Sequence, residues 1–308
     1  MFGSPLVLVD LRRRPAAAVT AAAAEGAAAL PAVVVGVGAD GPGGLPPEAA
    51  ALVDLVVFDP DPVVAVVEAS PRAAVALALT LRAGPALDAG AALATESAAY
   101  SMLQAGPEFA RWRASTAPAG ATSAPSTGPP VLVERAGDEL HVTLNRPGRH
   151  NALDTALRDG LFEALLLACA DASIGRVVLD GAGPSFCSGG DLDEFGTLSD
   201  PATAHLVRLT RSPARLLTRL GPRLEARVHG ACIGAGIEMA AFAGRVVARS
   251  DTVISLPEVG LGLIPGAGGT VSLPRRIGRH RSAELAFRGG PIDAATALRW
   301  GLVDTVEP

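Results

Sequence analysis

Three glycine-rich turns in the second half of the chain, each after a strand-like apolar run and before a helix-like one, restrict its fold most. They are 181–191 (GAGPSFCSGGD), 230–238 (GACIGAGIE) and 266–270 (GAGGT). Strands that feed helices through such turns wind in a right-handed βα order. The turns also aim backbone N–H groups and the positive ends of helix dipoles at one place, where negative charge can be held. Steric need alone explains one such turn. Three in succession predict a wound α/β architecture with an edge that stabilises developing negative charge. No GxxxxGK[ST] run occurs, so a nucleotide P-loop is not the reason for the glycines.

The 308 residues, 49% apolar and 19% charged, can bury a large core, and the length allows one or two domains. The run 115–130, STAPAGATSAPSTGPP, buries too little apolar area to offset its ordering entropy and reads as a linker between residues 1–114 and 131–308. Ahead of it, VLVDL (7–11), AVVVGVG (32–38) and LVDLVVF (52–58) read as buried strands, with an Ala-rich helix between the first two. From 61 to 115 the pattern predicts two or three helices, one opened by Ser70 as cap and Pro71 at its first position. After the linker comes a hairpin turning at Gly137 and Asp138, then a helix from Ala152 to about Ala172. Strands and helices alternate from there onward.

Composition excludes several classes. With 26 basic and 31 acidic residues the net charge is −5, which argues against nucleic acid or an anionic membrane as the main partner. No lysine occurs, so any phosphate contact falls to arginine. Cys169, Cys187 and Cys232 form neither a disulfide framework nor a zinc spacing, and a reducing cytoplasm is expected. The first ten residues make a poor secretory signal, and Glu25, Gly26 and Pro31 interrupt the Ala-rich stretch as a membrane span. Gly36, Gly38 and Gly41 match a GxGxxG spacing, but PGGLPP follows and cannot open a helix, so a dinucleotide site is not expected.

Two carboxylates stand out. Glu238 sits in the first turns of a helix whose neighbours Ile237, Met239, Ala240 and Ala241 are apolar, so it needs a partner or a task. Glu258 follows the strand TVISLP, where a charge is ordinarily a solvated loop group.

With LNRPGRHNAL (144–153), FCSGGDL (186–192), HGACIGAGIEMA (229–240) and PEVGLGLIPGAGGT (257–270), residues 131–306 resemble the crotonase (enoyl-CoA hydratase/isomerase) superfamily. The resemblance implies an α/β fold with a ββα spiral core and an acyl-CoA thioester as substrate, with no metal or redox cofactor. It implies an oxyanion hole from the backbone N–H groups of Ser188 and Ala235. It also implies catalysis by Glu238, activating water, and Glu258, delivering a proton. Arg149, His150 and Ala152 fall where the family's chain passes the CoA, and Gly189, Gly190 and Gly234 shape the two turns. Two carboxyls favour an enoyl-CoA hydratase, with enoyl-CoA isomerase, thioester hydrolase or a non-catalytic acyl-CoA-binding subunit as alternatives. A homotrimer or a dimer of trimers is implied. Cys187 and His229 are expected to be structural, and Asp191 to cap a following helix.

Family members continue past the equivalent of GLVDTVEP with a helical segment that covers the acyl pocket and builds the trimer. Here the matching pattern lies ahead of the linker, and LVD occurs at both 52–54 and 302–304. Residues 52–115 are therefore expected to supply that tail in permuted order, behind a degenerate half-core. The bland alternative is an unrelated N-terminal domain.

Overall fold

The computed structural model describes residues 3–12, 17–38, 45–116, 128–198 and 200–308. Gly41 of the GxGxxG spacing and linker positions 117–127 lie outside them. In the N-terminal segment, β1 (Leu6–Asp10), α1 (Ala17–Ala28), β2 (Val33–Val37), α2 (Pro47–Leu52) and β3 (Leu55–Val57) build a parallel sheet in the order β1-β2-β3. Four helices follow instead of two or three: α3 (Asp61–Ala69), α4 (Pro71–Ala83), α5 (Ala89–Gln104) and α6 (Pro107–Ser115). Proline opens or follows each break, because its ring cannot continue a helix.

Ser70 does not cap α4 with its side chain. Buried Glu108 of α6 takes over, accepting the N–H groups of Arg72 at 2.9 Å and Ala73 at 3.0 Å. A carboxylate complements the positive helix end better than a hydroxyl does, and the contact locks α6 onto α4. At α5, Asp88 accepts the Ala91 N–H at 2.9 Å.

The second part opens with the predicted hairpin of β4 (Val131–Ala136) and β5 (Glu139–Leu144). Its elements are then α7 (Thr155–Ala170), β6 (Arg176–Gly181), α8 (Pro201–Thr210), α9 (Pro213–Leu220), β7 (Leu224–Val228) and β8 (Ala231–Ile233). They continue as α10 (Ala235–Ala240), β9 (Arg245–Arg249), β10 (Val253–Ser255), α11 (Gly269–Phe287), β11 (Ile292–Asp293), α12 (Ala294–Trp300) and β12 (Thr305–Glu307). A six-stranded sheet runs β12-β9-β7-β6-β5-β4, parallel except for the hairpin, and a small sheet runs β11-β10-β8. Among the described residues no single helix is long and apolar enough to cross a membrane.

One apolar cluster joins both parts. It runs from Val33 and Leu55 through Leu77, Tyr100 and Phe109 to Leu179, Ile237 and Phe287. Polar ties reinforce it where β3 begins. Asp54 accepts the Val34 N–H at 2.8 Å and pairs with Arg82 of α4 at 2.5 Å. Arg82 also donates to the carbonyls of Ala27, Leu30 and Ala32. Arg279 of α11 reaches across to the carbonyls of Val53 at 2.8 Å and Ala50 at 2.6 Å. Two guanidinium forks thereby close the polar ends of the N-terminal elements.

Replacing Arg82 by Met removes the nearer of two cations from buried Asp54, 3% exposed in the intact protein, and leaves Arg279 at 3.7 Å. The expected loss is about 2–4 kcal/mol in equilibrium urea unfolding, since Arg279 keeps part of the compensation. A loss below about 1 kcal/mol would contradict this account of the pair.

Candidate active site

Strand pairing brings the glycine turns together. The backbone at Cys187 pairs in parallel with that at Cys232 of β8, with Cys187 N–H on Ala231 O at 3.0 Å and Ile233 N–H on Cys187 O at 2.9 Å, both thiols remaining free. Gly236 permits that approach, since a Cβ there would lie 2.6 Å from Cys187 O. On the other side β8 pairs with β10, and Gly234 N–H donates to Ser255 O at 2.9 Å. Gly234 has φ 49°, and a Cβ on it would collide with Glu258 Oε1. Local winding thus stacks the first turn, α10 and the Glu258 segment side by side.

Between them lies a cavity of about 540 Å³ whose wall includes Gly190, Ala235, Glu238, Glu258, Gly266 and Ala267. Both sequence-predicted glutamates are there. Glu238 is 2% exposed, and its Oε2 accepts the N–H groups of Ala267 at 2.7 Å and Gly269 at 2.8 Å. Glu258 is 8% exposed, and its buried Oε2 has no hydrogen-bond partner. Burial, then the neighbouring charges of Glu258 and Glu96, pushes the Glu238 carboxyl well above the usual range. Burial, then Glu96, pushes Glu258 up to about 7. Two backbone donors favour ionised Glu238, whereas the partnerless oxygen of Glu258 suits a carboxylic acid, so the pair retains a proton near neutrality.

The expected oxyanion donors need one correction. The Ser188 N–H donates to His150 O at 3.0 Å, and Ser188 is not in the cavity wall. His150 and Asn151 adopt left-handed backbone conformations, φ 51° and 53°, within the turn that presents that carbonyl to Ser188. On the wall, the amide of Gly190 in the first glycine turn and that of Ala235 at the start of α10 donate to no protein acceptor among the described residues.

Of the residues assigned to CoA, Arg149 is paired internally with Asp191 at 3.1 Å and Asp193 at 2.7 Å. His150 Nδ1 meets Ser185 Oγ at 2.9 Å. Arg149, His150, Ala152, Gly189 and Gly234 lie outside the cavity wall, and only Gly190 of that set lines it. Asp191 caps no helix. Its Oδ1 accepts the Asp193 N–H at 3.0 Å within a turn, because the chain does not become helical until Pro201. Cys187 is fully buried and burial pushes its thiol up to about 12, which leaves no thiolate for a nucleophile. His229 Nε2 meets Gly183 O at 3.0 Å.

Sequence reasoning missed the contribution of α5 and α8. Tyr100 and Gln104 of α5 and Arg208 of α8 line the cavity. The guanidinium of Arg208 sits 4.7 Å from the Tyr100 ring centroid and donates to Ser97 and Ser101. Glu96 of α5 is 2% exposed and bonds the turn 268–270. Its helical context is apolar and Ala-rich like that of Glu238, a signal that a buried carboxylate recurs there.

A buried carboxyl raised in the folded state binds its proton more tightly there than in the unfolded chain. Its presence costs stability as pH climbs from about 4.5 to about 7, and the cost is complete above that. Glu258→Gln is therefore expected to unfold at higher urea than wild type at pH 8, by on the order of 2–3 kcal/mol, with the gap closing near pH 4.5. A gap that is equal at both pH values would contradict this.

The family model for enoyl-CoA hydratase/isomerase matches residues 138–308. The 2,3-dehydroadipyl-CoA hydratase of Escherichia coli (strain K12) is 38% identical over 178 residues, 58% of this chain and 69% of that one. The enoyl-CoA hydratase/isomerase-named YngF of Bacillus subtilis (strain 168) is 37% identical over 166 residues, 54% of this chain; the chain spans 64% of that relative's length. In structure, an enoyl-CoA hydratase from Thermoplasma volcanium GSS1 superposes with a TM-score of 0.53 at 32% identity, over 58% of this chain and 72% of that one. The paired turns, the buried glutamates and these likenesses meet on the same residues: the second part has the crotonase fold, and the chain belongs to the enoyl-CoA hydratase/isomerase family.

Proposed function

We propose that this chain is an enoyl-CoA hydratase, adding water across the 2,3 double bond of an enoyl-CoA thioester. The observation that carries the reading is the pair of buried carboxyls on one cavity wall, Glu238 held by two amides and Glu258 with an oxygen left unpartnered. Hydration needs both: one carboxylate takes a proton from water as it attacks the β-carbon, and one carboxylic acid gives a proton to the α-carbon. Glu238 is the base in this assignment and Glu258 the acid. The thioester oxygen gains negative charge on the way to an enolate, and the amides of Gly190 and Ala235 are the donors available to it. Each is worth about 3 kcal/mol in such a transition state. Isomerisation within the same fold needs a single shuttling carboxyl, so the second favours hydration. The reading calls for no metal or redox cofactor. It includes a cytoplasmic location and a homo-oligomer, the latter checked by sedimentation.

The permuted-tail reading belongs here too. Leu52-Val53-Asp54 leads into β3 as Leu302-Val303-Asp304 leads into β12, and α5 supplies cavity wall to the second part. In this reading α3–α6 do in cis what the family's C-terminal helices do.

Loss of enoyl-thioester absorbance with crotonyl-CoA tests the activity. Glu238→Gln and Glu258→Gln are each expected to lower kcat by about 10²–10⁴; near wild-type rates in both overturn the assignment. Nicking the linker by limited proteolysis is expected to leave the two pieces associated. Release of an active C-terminal piece alone would sink the permuted-tail reading.

A further inference from the structure

The turn that holds Glu238 is held from a second direction by the segment ahead of the linker. Glu96 Oε1 accepts the Gly268 N–H at 2.8 Å; its Oε2 accepts the Thr270 N–H at 2.9 Å and the Thr270 hydroxyl at 2.7 Å. Glu238 Oε2 takes the intervening amides, Ala267 at 2.7 Å and Gly269 at 2.8 Å. Four successive N–H groups thus alternate between two carboxylates brought together from positions 96 and 238. Peptide units are rigid planes with two soft torsions between them. Fixing amides 268 and 270 therefore also fixes where amides 267 and 269 point, and with them the Glu238 oxygen. The fit is close: a Cβ on Gly269 would lie 2.6 Å from Glu238 Cγ.

Burying a third carboxylate beside two others is electrostatically unfavourable. Burial, opposed by the Thr270 and Gly268 bonds, holds Glu96 up at about 7. An apolar or amide side chain would avoid that cost but could not accept from all three donors at once. We propose that Glu96 is a positioning residue for Glu238: α5 grips the turn 268–270 and thereby sets where the Glu238 carboxylate sits in the cavity. Its kinetic consequence rests on the hydratase reading, whereas its effect on Glu238 itself does not.

The charged and titratable groups that interact with Glu96 are Glu238 of α10, Glu258 after β10, Arg208 of α8 and Tyr100 on α5 itself. The negative charge of Glu96 raises both Glu238 and Glu258. Neutralising it lets those carboxyls ionise at lower pH, an effect that a packing role alone would not produce.

The test compares Glu96→Gln, Glu96→Asp and Thr270→Val with wild type in the full chain. The carboxyl bands are titrated by infrared difference spectroscopy without ligand, with Glu238→Gln identifying the Glu238 band, and kcat and KM are measured on crotonyl-CoA. In Glu96→Gln the Glu238 midpoint is expected to fall by about one pH unit, and kcat by about tenfold or more with KM within about twofold. Glu96→Asp keeps the charge but cannot reach the turn, so kcat falls while the midpoint stays. Thr270→Val loses only the hydroxyl donor, so kcat falls less, KM stays within about twofold and the midpoint stays; this split between kcat and KM decides the matter if the Gln variant does not fold. An unmoved Glu238 midpoint in Glu96→Gln, or kcat and KM failing together in any variant, overturns the proposal. A moved midpoint in a protein whose wild type hydrates nothing upholds it and overturns the hydratase reading instead.

Discussion

The four amides of residues 267–270, shared alternately between Glu238 and Glu96, tie three distant stretches of chain into one site. The first turn of α11 has donors with no intrahelical acceptor, as every helix start does. Ordinarily a nearby cap or water takes them. Here two buried carboxylates do, one from α10 and one from α5, so the helix start becomes a clamp that joins the parts on either side of the linker. Three of the four bonds are buried, which strengthens them and raises the cost of leaving any donor unmet.

That arrangement gives the cavity its chemistry. A carboxylate that already accepts two backbone bonds has a fixed oxygen, and those bonds work against the burial and neighbouring charges that raise it; a buried carboxyl oxygen without a partner has no such counterweight. Glu238 and Glu258 differ in this respect although both are glutamates in an apolar setting. The field of Glu96 raises both, and Arg208, stacked on Tyr100, opposes it from α8.

Much of the second part was legible in the residues. The hairpin at Gly137-Asp138, the βα alternation and the buried setting of Glu238 follow from short-range rules: turn residues, apolar periodicity and a buried charge that needs a task. By the same rules Glu258 reads as a solvated loop charge, and only the likeness to the crotonase superfamily marks it. Where local reading erred, longer-range partners decided. Ser70 has the side chain of a cap, yet Glu108, 38 positions later in the chain, occupies that role. Ser188 sits in the expected turn, yet its amide is drawn to the His150 carbonyl, leaving Gly190 to face the cavity. Arg149 is claimed by Asp191 and Asp193. No spacing rule announces such competition, because each bond depends on which other backbone or side-chain group arrives at the same place.

The sequence by itself determined that the chain winds as α/β, where its glycine turns fall, and that Glu238 lies in an apolar helix start. Those properties are local, set by steric freedom, periodicity and the cost of burying charge. Only the tertiary structure decided which amides remain free, how burial and mutual charge raise the proton affinity of three carboxyls, and that a helix ahead of the linker completes the wall and grips the turn. These depend on distances between groups far apart in the chain, and a hydrogen bond or a Coulomb interaction acts only across the few ångströms that folding closes.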